Sequence, residues 1–351
     1  MSFNLNTILR PNIKNLKPYS SARDEFKGEA SVYLDANENA FGSPLSQAFH
    51  RYPDPMAYAV KMRLSEIKGV PARNIFLGNG SDEAIDILFR SFCNPGVDNV
   101  IIVPPTYGMY EVSANINDVQ IKRVNLTEDY QLNLEGIAEA IDKNTKLIFI
   151  CSPNNPTGNS IKREDIETLL ANFNGLVVID EAYINFSRQK TFIQELTEYA
   201  NLVVLQTLSK AWGLAALRVG MAFASEEIIE IFNKVKPPYN VNEASQKFAL
   251  EALRNVDQVN DWIKEILKER DALVLALRNF DFVIDIYPSD ANFVLVKTAD
   301  ADGIYKYLTE KGIIVRNRNK VELCEGCLRI TVGTNKENQA LINSLKKLKD
   351  D

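Results

Sequence analysis

The chain has 351 residues, 46% of them hydrophobic and 25% charged, with a formal net charge of −6. This length predicts one large domain and one smaller domain rather than a single compact module, and the acidic charge argues against a nucleic-acid partner. No apolar run approaches the roughly 18 residues that a membrane helix needs, and the polar N-terminus lacks the apolar segment of a signal peptide. We therefore expect a cytoplasmic protein with no membrane partner.

Histidine and cysteine are scarce, which restricts the possible chemistry. The single histidine, His50, would have to serve any Ser-His-Asp hydrolase, histidine-bound metal or histidine general base, and a surface role is favoured for it. Cys324 and Cys327 have zinc-knuckle spacing but no second pair, so a turn between two strands is favoured over a metal site. Proton transfer is therefore expected from a lysine, a carboxylate or a cofactor.

The first thirty or so residues have no strong periodicity and are predicted to form an arm that packs across another surface. From about residue 73, short apolar runs alternate with helical patterns. Val, Ile and Leu runs separated by helices predict an α/β fold, a mostly parallel sheet with helices on both faces. The predicted strands are residues 74–77, 100–103, 146–151, 176–180, 202–206 and 219–224.

The pattern changes after residue 242. Residues 242–279 are predicted to form one long or broken helix, and the shorter strands and helices that follow predict a smaller α+β domain. The strands expected there are residues 282–286, 292–297, 313–316 and 328–332, and the helices are residues 301–311 and 336–347. The expected domains are an arm at 1–30, a large domain at 31–245 and a small C-terminal domain at 246–351.

One lysine has unusual surroundings. Lys210 follows a predicted strand and a Ser/Thr-rich turn, and Trp212, Leu214 and small residues come directly after it. This is a poor composition for an exposed loop. A lysine that forms an imine must be desolvated or near positive charge, so that its amine is neutral and nucleophilic. The hydroxyls of the turn and Arg218, which follows in the same segment, also suit a phosphate.

Other polar segments follow predicted strands as well. Asp180 ends a buried apolar strand, where an unpaired carboxylate is costly, so it needs a cation; a protonated pyridine nitrogen, an ion pair or a helix-cap role would satisfy it. Glu181 is expected to face the opposite way, because strand side chains alternate. Asn155 lies in a rigid turn rich in Pro, Asn and Gly. Ligands of such sheets bind beyond the carboxyl ends of the strands, so these groups are expected to converge.

Two further features are ambiguous on their own. The turn Gly78-Asn79-Gly80 leads into Ser81 and Asp82 at the start of a predicted helix, where free N–H groups favour a phosphate, although either residue could be only an N-cap. Tyr107 is either a core residue or an aromatic side chain that stacks on a planar ligand.

In combination these segments resemble the fold-type I pyridoxal-phosphate (PLP) aminotransferases. The matching pieces occur in the family's order and with family-like separations: Ser81-Asp82-Glu83, Asn155-Pro156-Thr157-Gly158, Asp180-Glu181-x-Tyr183, and Ser209-Lys210 with Arg218. The resemblance implies that the large domain binds PLP and that Lys210 forms an imine with it and then acts as the base for proton transfer. It also implies that Asp180 keeps the pyridine nitrogen protonated.

The same resemblance implies the remaining cofactor contacts. Asn155 and Tyr183 would bind the phenolic oxygen of the ring, and Tyr107 would stack on its face. The cofactor phosphate would be bound by Ser81, Asp82, Thr207, Ser209 and Arg218. The Asn155–Pro156 peptide bond is expected to be cis.

Four more segments extend the resemblance over nearly the whole chain and narrow it to the histidinol-phosphate aminotransferases: Leu34-Asp35-Ala36-Asn37-Glu38-Asn39, Arg51-Tyr52-Pro53-Asp54-Pro55, Ile314-Val315-Arg316, and the stretch from Cys327 to Thr334. This implies transamination between L-histidinol phosphate and 2-oxoglutarate, giving imidazole acetol phosphate and glutamate, in L-histidine biosynthesis. The substrate residues implied are Tyr19, Asn37, Tyr52, Asn155, Arg316 and Arg329.

The resemblance places Arg316 and Arg329, helped by Tyr19, on the substrate's phosphate, and Asn37 in the substrate pocket. It also implies a homodimer in which Tyr52 reaches the neighbouring subunit's site. Two arginines and a tyrosine suit a dianion, and they also suit the carboxylates of glutamate and 2-oxoglutarate. For Arg329 a surface ion pair is the alternative.

Other functions stay open. Aromatic amino-acid aminotransferases and threonine-phosphate decarboxylases share the fold and the cofactor residues. A non-catalytic regulator of the same fold is disfavoured, because no DNA-binding module precedes the arm and the chain is acidic. A nucleotide-binding protein is disfavoured because Gly78-Asn79-Gly80 continues into neither G-x-G-x-x-G nor a P-loop.

Overall fold

The computed structural model of the chain describes residues 3–19 and 30–350. The predicted arm begins with two short helices, α1 (Leu5–Ile8) and α2 (Pro11–Lys14). Each buries one isoleucine against the main core, and the Arg10 N–H donates to the carbonyl oxygen of Ser91 at 3.1 Å. This part of the arm therefore packs on the body of its own chain; residues 20–29 of the predicted arm lie outside the described residues.

A seven-stranded sheet lies at the centre of the protein, in the order β1-β7-β6-β5-β4-β2-β3. The strands are β1 (Ile75–Asn79), β2 (Asn99–Ile102), β3 (Gln120–Arg123), β4 (Thr145–Cys151), β5 (Leu176–Asp180), β6 (Leu202–Thr207) and β7 (Val219–Phe223). Strands β2 to β6 pair in parallel, whereas β7 is antiparallel to both neighbours. The predicted mostly parallel sheet is confirmed.

Two details of this sheet differ from the sequence prediction. β3 was not predicted, because its sequence Gln-Ile-Lys-Arg has no apolar run and it lies at the exposed edge. The reversal of β7 was also not predicted. It brings the amino end of β7, directly after Arg218, to the sheet edge where β4, β5 and β6 have their carboxyl ends.

Helices cover both faces of this sheet, as predicted. Alternate strand residues enter different core clusters: Ile179 packs on one face and Val178 on the other, because strand side chains alternate. The helices of this part of the chain are α3 (Tyr58–Lys68), α4 (Ser81–Phe92), α5 (Met109–Ile116), α6 (Leu134–Ala140), α7 (Arg163–Asn172), α8 (Glu226–Val235), α9 (Glu243–Ala252) and α10 (Val256–Leu277). The predicted helical region at 242–279 is therefore broken, between α9 and α10.

The C-terminal part contains a four-stranded antiparallel sheet in the order β10-β11-β9-β8. Its elements are β8 (Val283–Ile286), β9 (Phe293–Thr298), α11 (Ala301–Glu310), β10 (Arg316–Asn317), β11 (Cys327–Thr331) and α12 (Asn335–Asp350). The predicted strand at 313–316 is wrong in extent, because only Arg316 and Asn317 pair with β11. Cys324 is buried in the turn before β11, and Cys327 is buried as the first residue of that strand. The domain limits stay a prediction.

None of the helices in the described segments is long and apolar enough to cross a membrane.

Candidate active site

A cavity of about 920 Å³ opens at the edge of the seven-stranded sheet where β4, β5 and β6 end, and residues of the antiparallel sheet complete its wall. All of the predicted cofactor-binding residues line it: Ser81, Asp82, Tyr107, Asn155, Asp180, Tyr183, Thr207, Ser209, Lys210 and Arg218. They converge because parallel strands bring their carboxyl ends to one edge. Arg218 joins them from the reversed strand β7.

Asp180 is buried at the floor of this cavity, with 3% of its surface exposed. Its Oδ2 accepts a hydrogen bond from the Tyr110 hydroxyl at 2.8 Å, and its Oδ1 accepts one from the Ala182 N–H at 3.0 Å. No lysine or arginine of the described chain forms an ion pair with it. Burial raises the pKa of Asp180, against the opposing effect of the Tyr110 hydrogen bond. A buried carboxylate with two donors and no cation is a site for a cationic N–H group.

The neighbouring Glu181 faces away from the cavity. Its carboxylate accepts hydrogen bonds from the Phe192 N–H at 2.7 Å and the Gln206 Nε2 at 2.9 Å. The prediction that only one of the two carboxylates enters the site is therefore confirmed, and the alternation of side chains along β5 is the reason.

Lys210 extends into the cavity from the connection between β6 and β7. The next residues, Ala211 and Trp212, are buried and anchor the backbone, while the lysine side chain stays open to the cavity. Its Nζ lies 5.5 Å from the centre of the Tyr183 ring. Burial by the cavity walls, followed by the positive charge of Arg329, lowers the pKa of Lys210. A larger fraction of its amine is therefore neutral and nucleophilic than in an ordinary lysine.

The N-terminus of helix α4 forms an anion cradle together with Arg218. No side chain caps this helix at Gly80, which leaves free N–H groups at the positive end of the helix dipole. A Cβ on Gly80 would lie 2.6 Å from Arg218 Nη2, and one on Gly220 would lie 2.0 Å from the Ser81 nitrogen. Gly220 is therefore needed for the close approach of the two backbones, and Gly80 is needed because its φ of 77° is a conformation that other residues rarely adopt. The cradle fits a phosphate group.

The backbone at Arg218 supports the same conclusion. This residue has a φ of 54°, in the left-handed region that costs a non-glycine residue of order 1–3 kcal/mol and is found mainly where function requires it. Its carbonyl oxygen accepts the Gly80 N–H at 2.7 Å, and its Nη2 lies 3.4 Å from Asp82 Oδ2. The strained residue thus connects the start of β7 to the start of α4.

Arg329, on β11, connects the antiparallel sheet to the cavity. Its Nη1 donates to Oδ1 of Asn155, and its guanidinium lies 5.2 Å from the centre of the Phe293 ring. Asn155 itself lies in a turn that Asn154 fixes by donating to the Pro105 carbonyl oxygen at 2.8 Å. The Asn155–Pro156 bond is cis, as predicted. Because Oδ1 accepts from Arg329, Nδ2 is the side-chain atom of Asn155 that is left to donate.

Arg316 also lines this cavity, but three of the predicted substrate residues do not. Asn37 and Tyr52 line a second cavity of about 700 Å³, next to His50, and the Tyr52 ring stacks on Tyr239 with 4.5 Å between centres. Tyr19 is 70% exposed. Within one chain these residues are therefore separate from Lys210, and their predicted roles stay predictions that require a second chain.

Sequence reasoning missed two residues of the site, Tyr110 and Arg318. Tyr107 precedes α5 by two residues and Tyr110 is the second residue of that helix, so the spacing of three places both on the same side of the segment. The centres of the two rings are 5.6 Å apart. Arg318 lines the cavity and follows Arg316 by two residues, which places both on one face of an extended segment. These two spacings were the available signals.

The chain matches the aminotransferase class I and II family model over residues 30–345, and it therefore belongs to that family of enzymes. A relative from Cytophaga hutchinsonii, named histidinol-phosphate aminotransferase, is 55% identical over 346 residues, which cover 99% of each chain. The predicted family resemblance is confirmed by these two matches.

Solved structures agree on the fold. The histidinol-phosphate aminotransferase of Clostridium acetobutylicum superposes with a TM-score of 0.79 at 23% identity, over 86% of this chain and 91% of that one. The enzyme of that name from Sinorhizobium meliloti, solved in complex with pyridoxal-5'-phosphate, also gives 0.79 at 23% identity, over 89% and 90% of the two chains. The predicted fold-type I architecture is confirmed.

Proposed function

We propose that the protein transfers the amino group of L-histidinol phosphate to 2-oxoglutarate, giving imidazole acetol phosphate and glutamate, in L-histidine biosynthesis in the cytoplasm. One observation carries the proposal: Arg316 and Arg329 face the same cavity as Lys210 and Asp180. A donor's anionic group and its reacting amine can therefore be held at the same time. The name of the relative with 55% identity supports histidinol phosphate as that donor.

Pyridoxal phosphate fits the residues of the cavity. The uncapped N-terminus of α4 and Arg218 would hold its phosphate, and Asp180, which has donors but no cation, would accept the N–H of its pyridinium ring. When bound, the cofactor withdraws electrons from the carbon that bears the amino group. The nucleotide-binding interpretation has no comparable support.

The residues of the chain have separable tasks in this reaction. Lys210 Nζ, whose pKa is lowered by burial and by Arg329, would bind the cofactor and then carry a proton from one carbon to the other. Asp180 would keep the pyridine nitrogen protonated, and Tyr110 orients its carboxylate. Asn155 Nδ2 and Tyr183 would donate to the ring's phenolic oxygen, and Tyr107 would pack on the ring face. Thr207 and Ser209 would contribute hydroxyl groups to the phosphate site.

A half-reaction titration tests the proposed function. Histidinol phosphate is expected to bleach the visible absorption band of the enzyme-bound cofactor, and 2-oxoglutarate is expected to restore it. Rapid bleaching by phenylalanine with none by histidinol phosphate would identify an aromatic aminotransferase instead. Release of carbon dioxide from threonine phosphate would identify a decarboxylase.

Removal of Tyr110's hydroxyl tests its action through Asp180. In Tyr110→Phe the hydrogen bond that lowers the pKa of Asp180 is lost, so a smaller fraction of this carboxyl group is ionised and its orientation toward the pyridine N–H is less fixed. We expect kcat to fall roughly 10- to 100-fold, since a hydrogen bond to a charged group is worth about 1.5–3 kcal/mol. The pH at which the visible band of the holoenzyme titrates should also shift.

The matched control is Tyr307→Phe. It removes a hydroxyl that donates to the Ser344 carbonyl oxygen at 3.1 Å, and neither residue lines the cavity. A spectral pH titration of Tyr110→Phe identical to that of Tyr307→Phe would assign Tyr110 a purely structural role.

Arg329→Ala is expected to raise the KM for histidinol phosphate by roughly 10- to 100-fold, because a charge-assisted contact of about 1.5–3 kcal/mol is lost. The pKa of Lys210 should rise, since Arg329 lowers it in the parent enzyme. Steady-state kinetics over a range of pH measure both effects. Arg278→Ala, at the end of α10, is the control and should leave both values unchanged. An unaltered KM in Arg329→Ala would place the donor's phosphate elsewhere.

We further propose that the enzyme is a homodimer in which Tyr52 enters the partner's active site. Three segments meet near Tyr52: its backbone N–H donates to Glu38, and Gln246 of α9 donates to the Asp54 carbonyl oxygen. On these segments the large apolar side chains of Leu34, Phe41, Tyr58 and Phe248 are exposed. Such a patch is typical of a protein–protein interface. The second cavity, which Tyr52 and Asn37 line, opens on the same part of the chain.

Mixed dimers test this arrangement. Tyr52→Ala and Lys210→Ala are each expected to have low activity, but a hybrid dimer contains one site with both substitutions and one intact site. Unfolding and refolding an equal mixture should therefore restore about a quarter of the parent activity, the fraction of intact sites in a random C2 assembly. Hybrid dimers that form without restored activity would contradict the shared site.

A further inference from the structure

The pairing of β10 with β11 aligns three arginines. Arg316 is directly opposite Arg329 in this antiparallel pair, so their side chains project from the same face of the sheet. The Arg318 N–H donates to the Cys327 carbonyl oxygen at 2.9 Å, which continues the ladder. Because Arg318 follows Arg316 by two residues, its side chain projects from that face too. All three guanidinium groups line the cavity that contains Lys210.

Within the described chain, no carboxylate pairs with Arg318. The acidic groups nearby are already engaged: Glu111 pairs with Arg123 at 2.7 Å, and Glu322 accepts from Asn125 at 2.5 Å. The Nε of Arg318 is enclosed and has no hydrogen-bond partner among the described residues. An enclosed guanidinium donor without an acceptor is costly. Its position beside two further arginines is therefore explained if an anion occupies this end of the cavity.

The electrostatics agree with this geometry. Burial, followed by the positive charges of Arg329 and Arg316, lowers the pKa of Arg318 to about 10. The guanidinium is still charged at neutral pH, but its charge is destabilised by its neighbours. An anion that binds between the three groups would remove this repulsion.

We propose that Arg318 is a third anion-binding arginine of the donor subsite, and that it makes this subsite prefer a phosphate dianion to a carboxylate. A phosphate monoester carries a charge of about −1.5 to −2 and offers three acceptor oxygens, which can occupy three guanidinium groups. A carboxylate carries one charge and two oxygens, which Arg316 and Arg329 suffice to bind. The inference rests on the proposed function, because it assigns the phosphate to the amino donor.

Arg318→Gln tests the preference in two ways. The KM for histidinol phosphate should rise at least roughly tenfold, with the KM for 2-oxoglutarate changed less than about threefold. Calorimetric titration of the holoenzyme, whose cofactor phosphate is already in place, measures the binding of two unreactive anions. The affinity for inorganic phosphate should fall by a similar factor, whereas the affinity for glutarate, a dicarboxylate, should change little. Affinities for phosphate and glutarate that fall equally, or that both stay unchanged, would overturn the proposal.

Two further variants complete the experiment. Lys320→Gln removes an exposed cation that lines the same cavity. It should leave the ratio of the phosphate affinity to the glutarate affinity unchanged. A ratio that falls as far as in Arg318→Gln would overturn a specific role for Arg318. Arg318→Lys keeps the positive charge but loses the planar guanidinium group with its paired N–H donors. The preference of this variant for phosphate should therefore fall only in part. If the parent enzyme does not turn over histidinol phosphate, the proposed function fails, whereas phosphate binding still reports on Arg318 separately.

Discussion

Replacement of Lys210 by alanine is expected to abolish transamination and the visible absorption band of the bound cofactor, while the fold survives. The Nζ atom has no hydrogen bond in the described structure and is open to the cavity, so its removal leaves the buried Ala211 and Trp212 in place. Stability should change by about 1 kcal/mol or less, because the substitution opens no cavity in the core. The rate should fall at least about 10⁴-fold, the upper range for general acid–base catalysis alone.

Absorption spectra, single-turnover kinetics and thermal unfolding measure these three effects. Lys264→Ala is the matched control, because Lys264 is an exposed lysine of α10 that pairs with Asp261; its variant should keep both the band and the activity. If Lys210→Ala retained the visible band, the cofactor would be bound by a different lysine, and the assignment of the site would have to be revised.

Asp180→Asn is expected to lower the activity by roughly 10²–10⁴-fold, the equivalent of the 3–5 kcal/mol that is lost when one partner of a buried ion pair is removed. Asparagine has nearly the same shape and can still accept the hydrogen bond from Tyr110, but it bears no charge to stabilise a pyridinium. The loss should therefore appear in kcat more than in KM.

The same substitution has an opposite effect on the protein without cofactor. Burial raises the pKa of Asp180 in the folded chain, so the stability associated with its protonated form is present below the unfolded pKa and is lost as the pH rises through the folded pKa. The asparagine side chain of the variant cannot ionise. The stability of the Asp180→Asn apoprotein relative to the parent apoprotein should therefore increase with pH.

Thermal unfolding of both apoproteins, from about pH 4 to pH 8, measures this difference. A gap in melting temperature that stays constant over the whole range would mean that Asp180 remains ionised in the empty fold, and that the cavity supplies a compensating charge without the cofactor. Added pyridoxal phosphate should stabilise the parent more than the variant. This result would connect the effect of Asp180 on activity with its effect on the stability of the apoprotein.

Residues of this site could be predicted where a sequence pattern formed by neighbouring residues indicates them. Asp180 and Lys210 could be predicted, because each follows an apolar run that reads as a strand, and the carboxyl ends of parallel strands meet at one edge. The ordered motifs made the family resemblance specific. Arg316 and Arg329 came from that resemblance, and the register of β10 with β11 explains why they are neighbours.

Features that depend on packing between distant segments could not be predicted from the sequence. Tyr110 is an ordinary helix residue until α5 packs against the end of β5, where its hydroxyl meets Asp180. β3 has no apolar run, because an edge strand is buried less than a central one. The reversal of β7, which brings Arg218 to the cradle, is a property of strand pairing.

The sequence by itself determined the class of fold and the order of the cofactor motifs, and it singled out Lys210 as the candidate for the reacting lysine, since these depend on residue type and short spacings. The tertiary structure decided which arginines share one anion site and which predicted residues lie apart. Arg318 joins Arg316 and Arg329 through the pairing of two strands, whereas Tyr52 and Asn37 lie at a second cavity. Contacts between distant segments set these relationships, and no local pattern encodes a strand register or a subunit neighbour.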